Sequence, residues 1–184
     1  MKTKKLTFGA MCLALALLLP QVFHLIGMQQ AGSVFLPMHI PVFIGGMLLG
    51  PIYGLFLGIF APLTSFVVTG MPNAQRVFFM VCELATYGIV SGLLFHQFHF
   101  SKKKLGSFIA LCLSMVAGRL IYGFSISLAT YLFHIPLGGI PAVVAATMTG
   151  IPGIVIQLLF VPAIVTVIDR GGYFRESEYV TKQA

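Results

Sequence analysis

The sequence predicts an all-α membrane protein with six transmembrane helices and with both termini in the cytoplasm. Of its 184 residues, 58% are hydrophobic and only 8% are charged, and the mean hydropathy is +1.00. Because one bilayer crossing takes about 20 apolar residues, this length allows about six spans with short connections, in a single domain over residues 1–184. The composition excludes a soluble enzyme.

The apolar runs define the predicted helices in chain order. The first run follows a basic N-terminus and continues past Pro20 without a cleavage signal, so we interpret it as a span rather than a signal peptide. The second ends at Gly50-Pro51, because proline cannot continue the backbone hydrogen-bond ladder, and the third ends in a turn at residues 70–73. Each run must be helical, since hydrocarbon satisfies no backbone polar group. The predicted spans cover residues 6–28, 35–49, 52–69, 77–96, 108–133 and 143–168, and a polar tail covers 169–184.

The basic residues predict the orientation. Nine of the eleven lysines and arginines fall on the side that holds both termini, namely Lys2, Lys4, Lys5, Lys102, Lys103, Lys104, Arg170, Arg175 and Lys182. Lys and Arg are enriched in cytoplasmic loops, so the gaps at 29–36, 70–76 and 134–141 are predicted to face outward. Because the positive charge lies at segment ends and not along one stripe, we predict contact with the lipid bilayer and no nucleic-acid partner.

Three ionisable residues, Arg76, Glu83 and Arg119, lie near hydrocarbon depth. A charge at the bilayer centre costs at least ~2.5 kcal/mol, so each needs a partner, a water-filled cavity or a ligand. In one interpretation, Glu83 neutralises Arg119 as a structural pair. In the other, the excess of guanidinium groups in an outward-facing cavity binds a carboxylate or phosphate on a small solute. The residues themselves leave both interpretations open.

Polar and aromatic side chains near the predicted outer ends complete a candidate substrate site. An apolar pocket with a few convergent polar groups is the usual form of a small-molecule site. The predicted substrate-binding residues are Arg119, Arg76, Glu83, Asn73, Gln75, His39, Tyr87 and Tyr122. The residues expected around the mouth of the site are Gln29, Gln30, Ser33, His39, Asn73, Gln75 and His134. Those expected in its apolar walls are Phe35, Tyr87, Tyr122 and Phe124.

Enzymatic chemistry is not indicated. The sequence contains no phosphate-binding loop of the G-x-x-x-x-G-K-[ST] type, so the chain cannot hydrolyse ATP alone. It also lacks paired carboxylates and the histidine spacing of a metal site, and its three cysteines lie apart within apolar runs. We therefore predict no catalytic residue, no cofactor and no metal.

Small residues four positions apart predict close helix contacts. Such spacing lets two backbones approach where the hydrophobic effect no longer drives association. The pairs Gly46 and Gly50, and Gly54 and Gly58, are expected to pack inside the bundle. Ala10 and Ala14 lie in a span that is otherwise compatible with lipid, and they are candidates for docking a partner protein.

Several strings combine proline, glycine and polar residues. They are L-P-M-H-I-P at 36–41, G-P-I-Y-G at 50–54, A-P-L at 61–63, T-G-M-P at 69–72 and E-L-A-T-Y-G at 83–88. With these strings, its helix number and its length, the chain resembles the substrate-binding S components of energy-coupling factor (ECF) vitamin transporters.

The resemblance implies a mechanism. An S component captures a vitamin outside the cell, joins a transmembrane coupling subunit and two cytoplasmic ATPase subunits, and topples in the membrane to release its cargo. The resemblance also implies that substrate lies among spans 4 to 6 and the outer loops, and that Ala10 and Ala14 dock on the coupling subunit. A surplus cation favours a carboxylate, which makes pantothenate the preferred vitamin. Folate, cobalamin, another vitamin, or a stand-alone solute carrier are the alternatives.

Overall fold

A computed structural model describes residues 2–25, 31–103 and 105–172. Within these ranges the regular secondary structure is entirely helical, and no strand occurs. The helices are α1 (Lys2–Leu25), α2 (Ala31–Phe35), α3 (His39–Leu49), α4 (Pro51–Thr69), α5 (Ala74–His96), α6 (Gly106–Tyr131), α7 (Gly139–Thr149) and α8 (Ile151–Arg170), with a short 3₁₀ helix at Phe100–Lys102.

Six segments in the described part of the chain are long and apolar enough to cross a membrane, which confirms the predicted all-α fold and its six candidate spans. They are Thr3–Phe23, Gly32–Leu49, Pro51–Thr69, Ala74–His96, Gly106–Tyr131 and Ile151–Arg170. Residues 26–28 of the predicted first span, and residues 173–184 of the predicted tail, lie outside the described residues.

The predicted breaks at Gly50 and Gly70 are both present. Gly50 has φ 105° and Pro51 is the first residue of α4, where its missing N–H costs no helical hydrogen bond. Gly70 ends α4 in the left-handed conformation, with φ 73°, which a glycine adopts without steric penalty. These two breaks let α3, α4 and α5 run back and forth across the bundle.

The predicted sixth span is interrupted. Residues 143–168 were expected to form one helix, whereas the structure has α7 and α8 separated at Gly150. Pro152 explains the position of the break, because in one continuous helix its ring would clash with the Met148 carbonyl and remove the hydrogen bond to it. The predicted loop at 136–141 is also shorter, since α7 begins at Gly139.

Helix α5 lies at the centre of the bundle, against α3, α4 and α6. Its contact with α4 runs through glycine, because a Cβ on Gly88 would overlap the backbone of Gly54. A Cβ on Gly58 would likewise overlap the backbone of Ala85 in α5, and one on Gly46 would lie 2.6 Å from the Gly88 carbonyl oxygen. The three helices therefore pack backbone to backbone, as small residues permit in membranes.

The two ends of the bundle are named by the helix connections that they contain. The upper end is where α4 meets α5 and where α6 meets α7, and the lower end is where α3 meets α4 and where α5 meets α6.

Helix α1 packs on α3 and α4 through its buried residues Cys12 and Ala16. Ala10 and Ala14 lie on the opposite, exposed face of α1.

Candidate functional site

A buried ion pair joins α5 to α6 inside the bundle. Arg119 Nη1 lies 3.1 Å from Glu83 Oε1, and the two side chains are 18% and 5% exposed. Arg119 is the fourteenth residue of α6 and Glu83 the tenth of α5, so at ~1.5 Å per residue both lie well inside the helices. The structure thus brings together the two residues that one of the two interpretations paired.

Tyr87 adds a second donor to the same carboxylate. Its hydroxyl donates a hydrogen bond of 2.6 Å to Glu83 Oε1, one helical turn away. The ring lies against Gly118 of α6, where a Cβ would overlap it, and its centroid is 4.7 Å from that of Phe43. A larger residue at 118 would therefore push the Tyr87 ring out of place. Packing on three helices holds this hydroxyl on Glu83.

His39 lies deeper than the sequence indicated. It was expected near the mouth of the site, but it is the first residue of α3 and only 3% exposed. Its ring centroid is 5.5 Å from that of Tyr87, and neither ring nitrogen has a hydrogen-bond partner among the described residues. A buried polar atom without a partner costs about 1–3 kcal/mol, so this imidazole is a candidate contact for a ligand or a water molecule.

Tyr122 lies on the upper side of the ion pair. The Arg119 guanidinium carbon is 5.8 Å from the centre of the Tyr122 ring, within the range of a cation–π contact. Above this ring, Phe79, Ile126 and Ala129 form a small apolar cluster against which Tyr122 and Val143 also pack. The charge pair is therefore covered on its upper side by apolar groups.

The residues at the start of α5 are exposed. Asn73 accepts a hydrogen bond of 3.2 Å from the backbone N–H of Arg76, so its side chain caps the helix. Gln75 and Arg76 lie in the first turn with exposed side chains, about two turns above Glu83. These three residues are separate from the buried pair.

The remaining predicted residues are dispersed. Ser33 and His134 are exposed, and Phe35 stacks on Phe23 with ring centroids 5.3 Å apart. Phe124 was expected in a wall of the site, but its side chain points outward with 67% exposure, because it lies on the face of α6 away from α5. Gln29 and Gln30 lie outside the described residues.

Sequence reasoning missed Gln157 of α8 and Gly150 at the α7–α8 junction. Gln157 is buried, and its Nε2 donates to the Leu36 carbonyl at 3.3 Å. Gly150 adjoins the ion pair, since a Cβ there would lie 3.5 Å from Arg119 Nη2. A single amide within an apolar run was the available signal for Gln157, because such a group in a membrane helix needs a partner.

The arrangement is suited to binding and not to bond cleavage. Glu83 accepts from both Arg119 and Tyr87, and its negative charge is therefore shared between two donors. A guanidinium has five N–H donors, and among the described residues only Glu83 accepts from that of Arg119. The unused donors suit a carboxylate or another acceptor on a small molecule.

Six candidate membrane-spanning helices with an ion pair in a mostly apolar interior are typical of a multi-pass membrane protein. The family model for the ECF transporter, substrate-specific component, matches residues 4–165, so the chain belongs to this family. No curated protein and no solved structure matched it. Members of the family are the substrate-binding subunits of ECF transporters and not enzymes, and they act in the membrane with coupling and ATPase modules.

Proposed function

We propose that this chain binds a small anionic vitamin, pantothenate by preference, outside the cell. It then delivers the vitamin inward by toppling in the bilayer together with the coupling subunit and two ATPase subunits. The distribution of basic residues supports an orientation with both termini in the cytoplasm, which makes the upper end extracellular. The partly buried guanidinium of Arg119, with donors that Glu83 does not use, is the observation on which the proposal depends.

A second carboxylate fits beside Arg119 for an electrostatic reason. Tyr87 donates to the same oxygen of Glu83 that Arg119 contacts, so the carboxylate does not depend on the guanidinium alone. Arg119 Nη2 faces the α7–α8 junction at Gly150, where there is no side chain. A ligand carboxylate that approaches there meets a cation held between two helices. Arg76, exposed at the upper end, adds positive charge along the approach.

The polar groups around the pair favour pantothenate among the vitamins. Pantothenate has one carboxylate, an amide and two hydroxyl groups, and the unpartnered imidazole of His39 can donate to or accept from such groups. Folate offers large aromatic rings for stacking, and the chain has no Trp. Riboflavin and thiamine lack a carboxylate.

The purified protein tests the choice of vitamin directly. We expect native mass spectrometry to detect pantothenate on the protein after incubation with an equimolar mixture of pantothenate, folate, cobalamin and thiamine. Retention of folate or cobalamin would reassign the vitamin, and retention of thiamine, a cation, would contradict an anion site.

Uptake of radiolabelled pantothenate should also disappear in cells that lack the coupling and ATPase subunits. Undiminished uptake there would show a stand-alone carrier.

Ala10→Phe and Ala14→Phe are expected to weaken assembly without affecting vitamin binding. Both alanines are exposed on α1, where a bulky ring would hold a partner helix away. We expect the yield of coupling subunit that co-purifies with the tagged S component to fall at least fivefold.

Val116→Phe on α6 is the matched control, because this exposed residue also adds bulk to a surface helix, away from α1. It should co-purify at the wild-type yield. A wild-type yield for both alanine variants would exclude this face of α1 as the docking surface.

A further inference from the structure

Gln157 connects α8 to the chain segment before α3. Its side chain is 1% exposed, and Nε2 donates to the Leu36 carbonyl oxygen at 3.3 Å across 121 residues of sequence. This is a polar contact between distant segments in a helix whose other residues, from Ile151 to Ile168, are apolar or small except Thr166. Such an amide is costly to bury unless its hydrogen bond forms.

Leu36 has an uncommon backbone conformation. Its φ is 49°, in the left-handed region that non-glycine residues rarely adopt. The turn of residues 36–38, which we name the Leu36 turn, separates α2 from α3. The Leu36 carbonyl accepts both from Gln157 and from the backbone N–H of His39 at 3.1 Å. Neighbouring contacts must maintain a conformation of this kind.

The Leu36 turn lies directly on the α7–α8 junction. A Cβ on Gly153 would lie 2.6 Å from the carbonyl carbon and oxygen of Phe35, so the α2 backbone contacts α8 closely. At Gly150, a Cβ would lie 2.9 Å from Leu36 Cδ1 and 3.5 Å from Arg119 Nη2. The turn therefore adjoins the guanidinium, and it leads directly into the buried His39.

We propose that Gln157 is a positioning residue that latches the Leu36 turn against α8 and thereby keeps His39 and the Arg119 side of the site covered. When the hydrogen bond opens, the turn moves off α8 and both groups become accessible. The inference rests on the proposed function only in that the covered groups are the proposed ligand contacts. Its test uses no vitamin, so the two proposals fail separately.

Hydrogen exchange measures the latch in the full-length protein in nanodiscs. Gln157→Met keeps the volume and removes the donor. We expect the amide of His39 and its neighbours in residues 32–40 to exchange about fivefold faster than in the wild type, since one net hydrogen bond is lost. Thr166→Val is the matched control, because Thr166 also lies on α8 but its 3.1 Å hydrogen bond, to Ser107 of α6, is far from the turn. It should leave this exchange unchanged.

Chemical modification of His39 tests the access that the latch controls. Diethyl pyrocarbonate acylates exposed imidazoles, and peptide mapping resolves each histidine. The exposed His99 and His134 provide internal standards. We expect His39 to react at least fivefold faster in Gln157→Met than in the wild type or in Thr166→Val, relative to these standards.

A second variant keeps the proposal testable if Gln157→Met does not fold. Gln157→Asn retains the amide but shortens the side chain by one methylene, so it should behave as Gln157→Met does. The proposal is supported when both exchange and His39 modification rise in a folded Gln157 variant. It is overturned when either stays at the wild-type value, because Gln157 would then act only in packing.

Discussion

Arg119→Met is expected to lower the affinity for the vitamin at least 100-fold, equivalent to about 2.7 kcal/mol. The variant removes a partly buried guanidinium whose free donors are the proposed contacts for a ligand carboxylate, and truncating a charge contact that the ligand buries costs about 2–5 kcal/mol. Isothermal titration of the detergent-purified protein with pantothenate measures the change. Arg119→Lys keeps the charge but loses the planar fork, so we expect an intermediate affinity.

The ion pair requires a control that separates binding from folding. Arg119→Met leaves the Glu83 carboxylate buried without its cation, which typically destabilises a protein by about 3–5 kcal/mol. The double variant Arg119→Met/Glu83→Gln removes both charges, so its melting temperature should recover most of the loss. Vitamin binding should stay lost in the double variant. If binding recovers together with stability, Arg119 is a structural partner of Glu83 and not a ligand contact.

Gly88→Ala is expected to destabilise the folded protein by about 3 kcal/mol or more. The added methyl group would overlap the backbone of Gly54, and backbone cannot move aside as a flexible side chain can. The helices α4 and α5 would have to separate at the centre of the bundle. Thermal unfolding in detergent, followed by the loss of the monomer peak in size-exclusion chromatography, measures the effect.

Gly123→Ala provides the comparison within a membrane helix. A Cβ on Gly123 would meet Val143 Cγ1 at 3.5 Å, an ordinary van der Waals contact. Alanine also favours a helix over glycine by about 1 kcal/mol, so this variant should melt at or above the wild-type temperature. Equal melting of Gly88→Ala and wild type would contradict the close approach of α4 and α5.

The membrane makes most of this fold predictable from sequence. Hydrocarbon forces each apolar run to satisfy its own backbone, so counting runs predicts the number of spans. Gly50 and Gly70 were visible as breaks because each adjoins a proline or a turn. Gly150 was not, since a kink leaves the hydropathy of a span almost unchanged. Pro152, two residues later, was the available signal.

The site was predictable where charge was involved. Glu83 is the only acid inside the predicted spans, so an arginine in a membrane helix had few possible partners, and Arg119 lies beside it. The depth of His39 was not predictable, because a side chain near the start of the predicted second span can face either the mouth of the site or the interior of the bundle. Its burial follows from the Leu36 turn, which lies on α8 through contacts between residues far apart in sequence.

The exposed face of α1 has a consequence for any protein that comes to lie along it. Leu6, Met11, Leu15, Leu18 and Val22 present hydrocarbon to a hydrocarbon solvent, so replacing lipid tails with another helix releases almost no hydration free energy. The affinity of a partner helix for this surface must then come from shape complementarity and van der Waals packing between the two helices. Adding or removing one or two methyl groups at the small residues of this face would therefore alter partner recognition more than a change in its overall hydrophobicity.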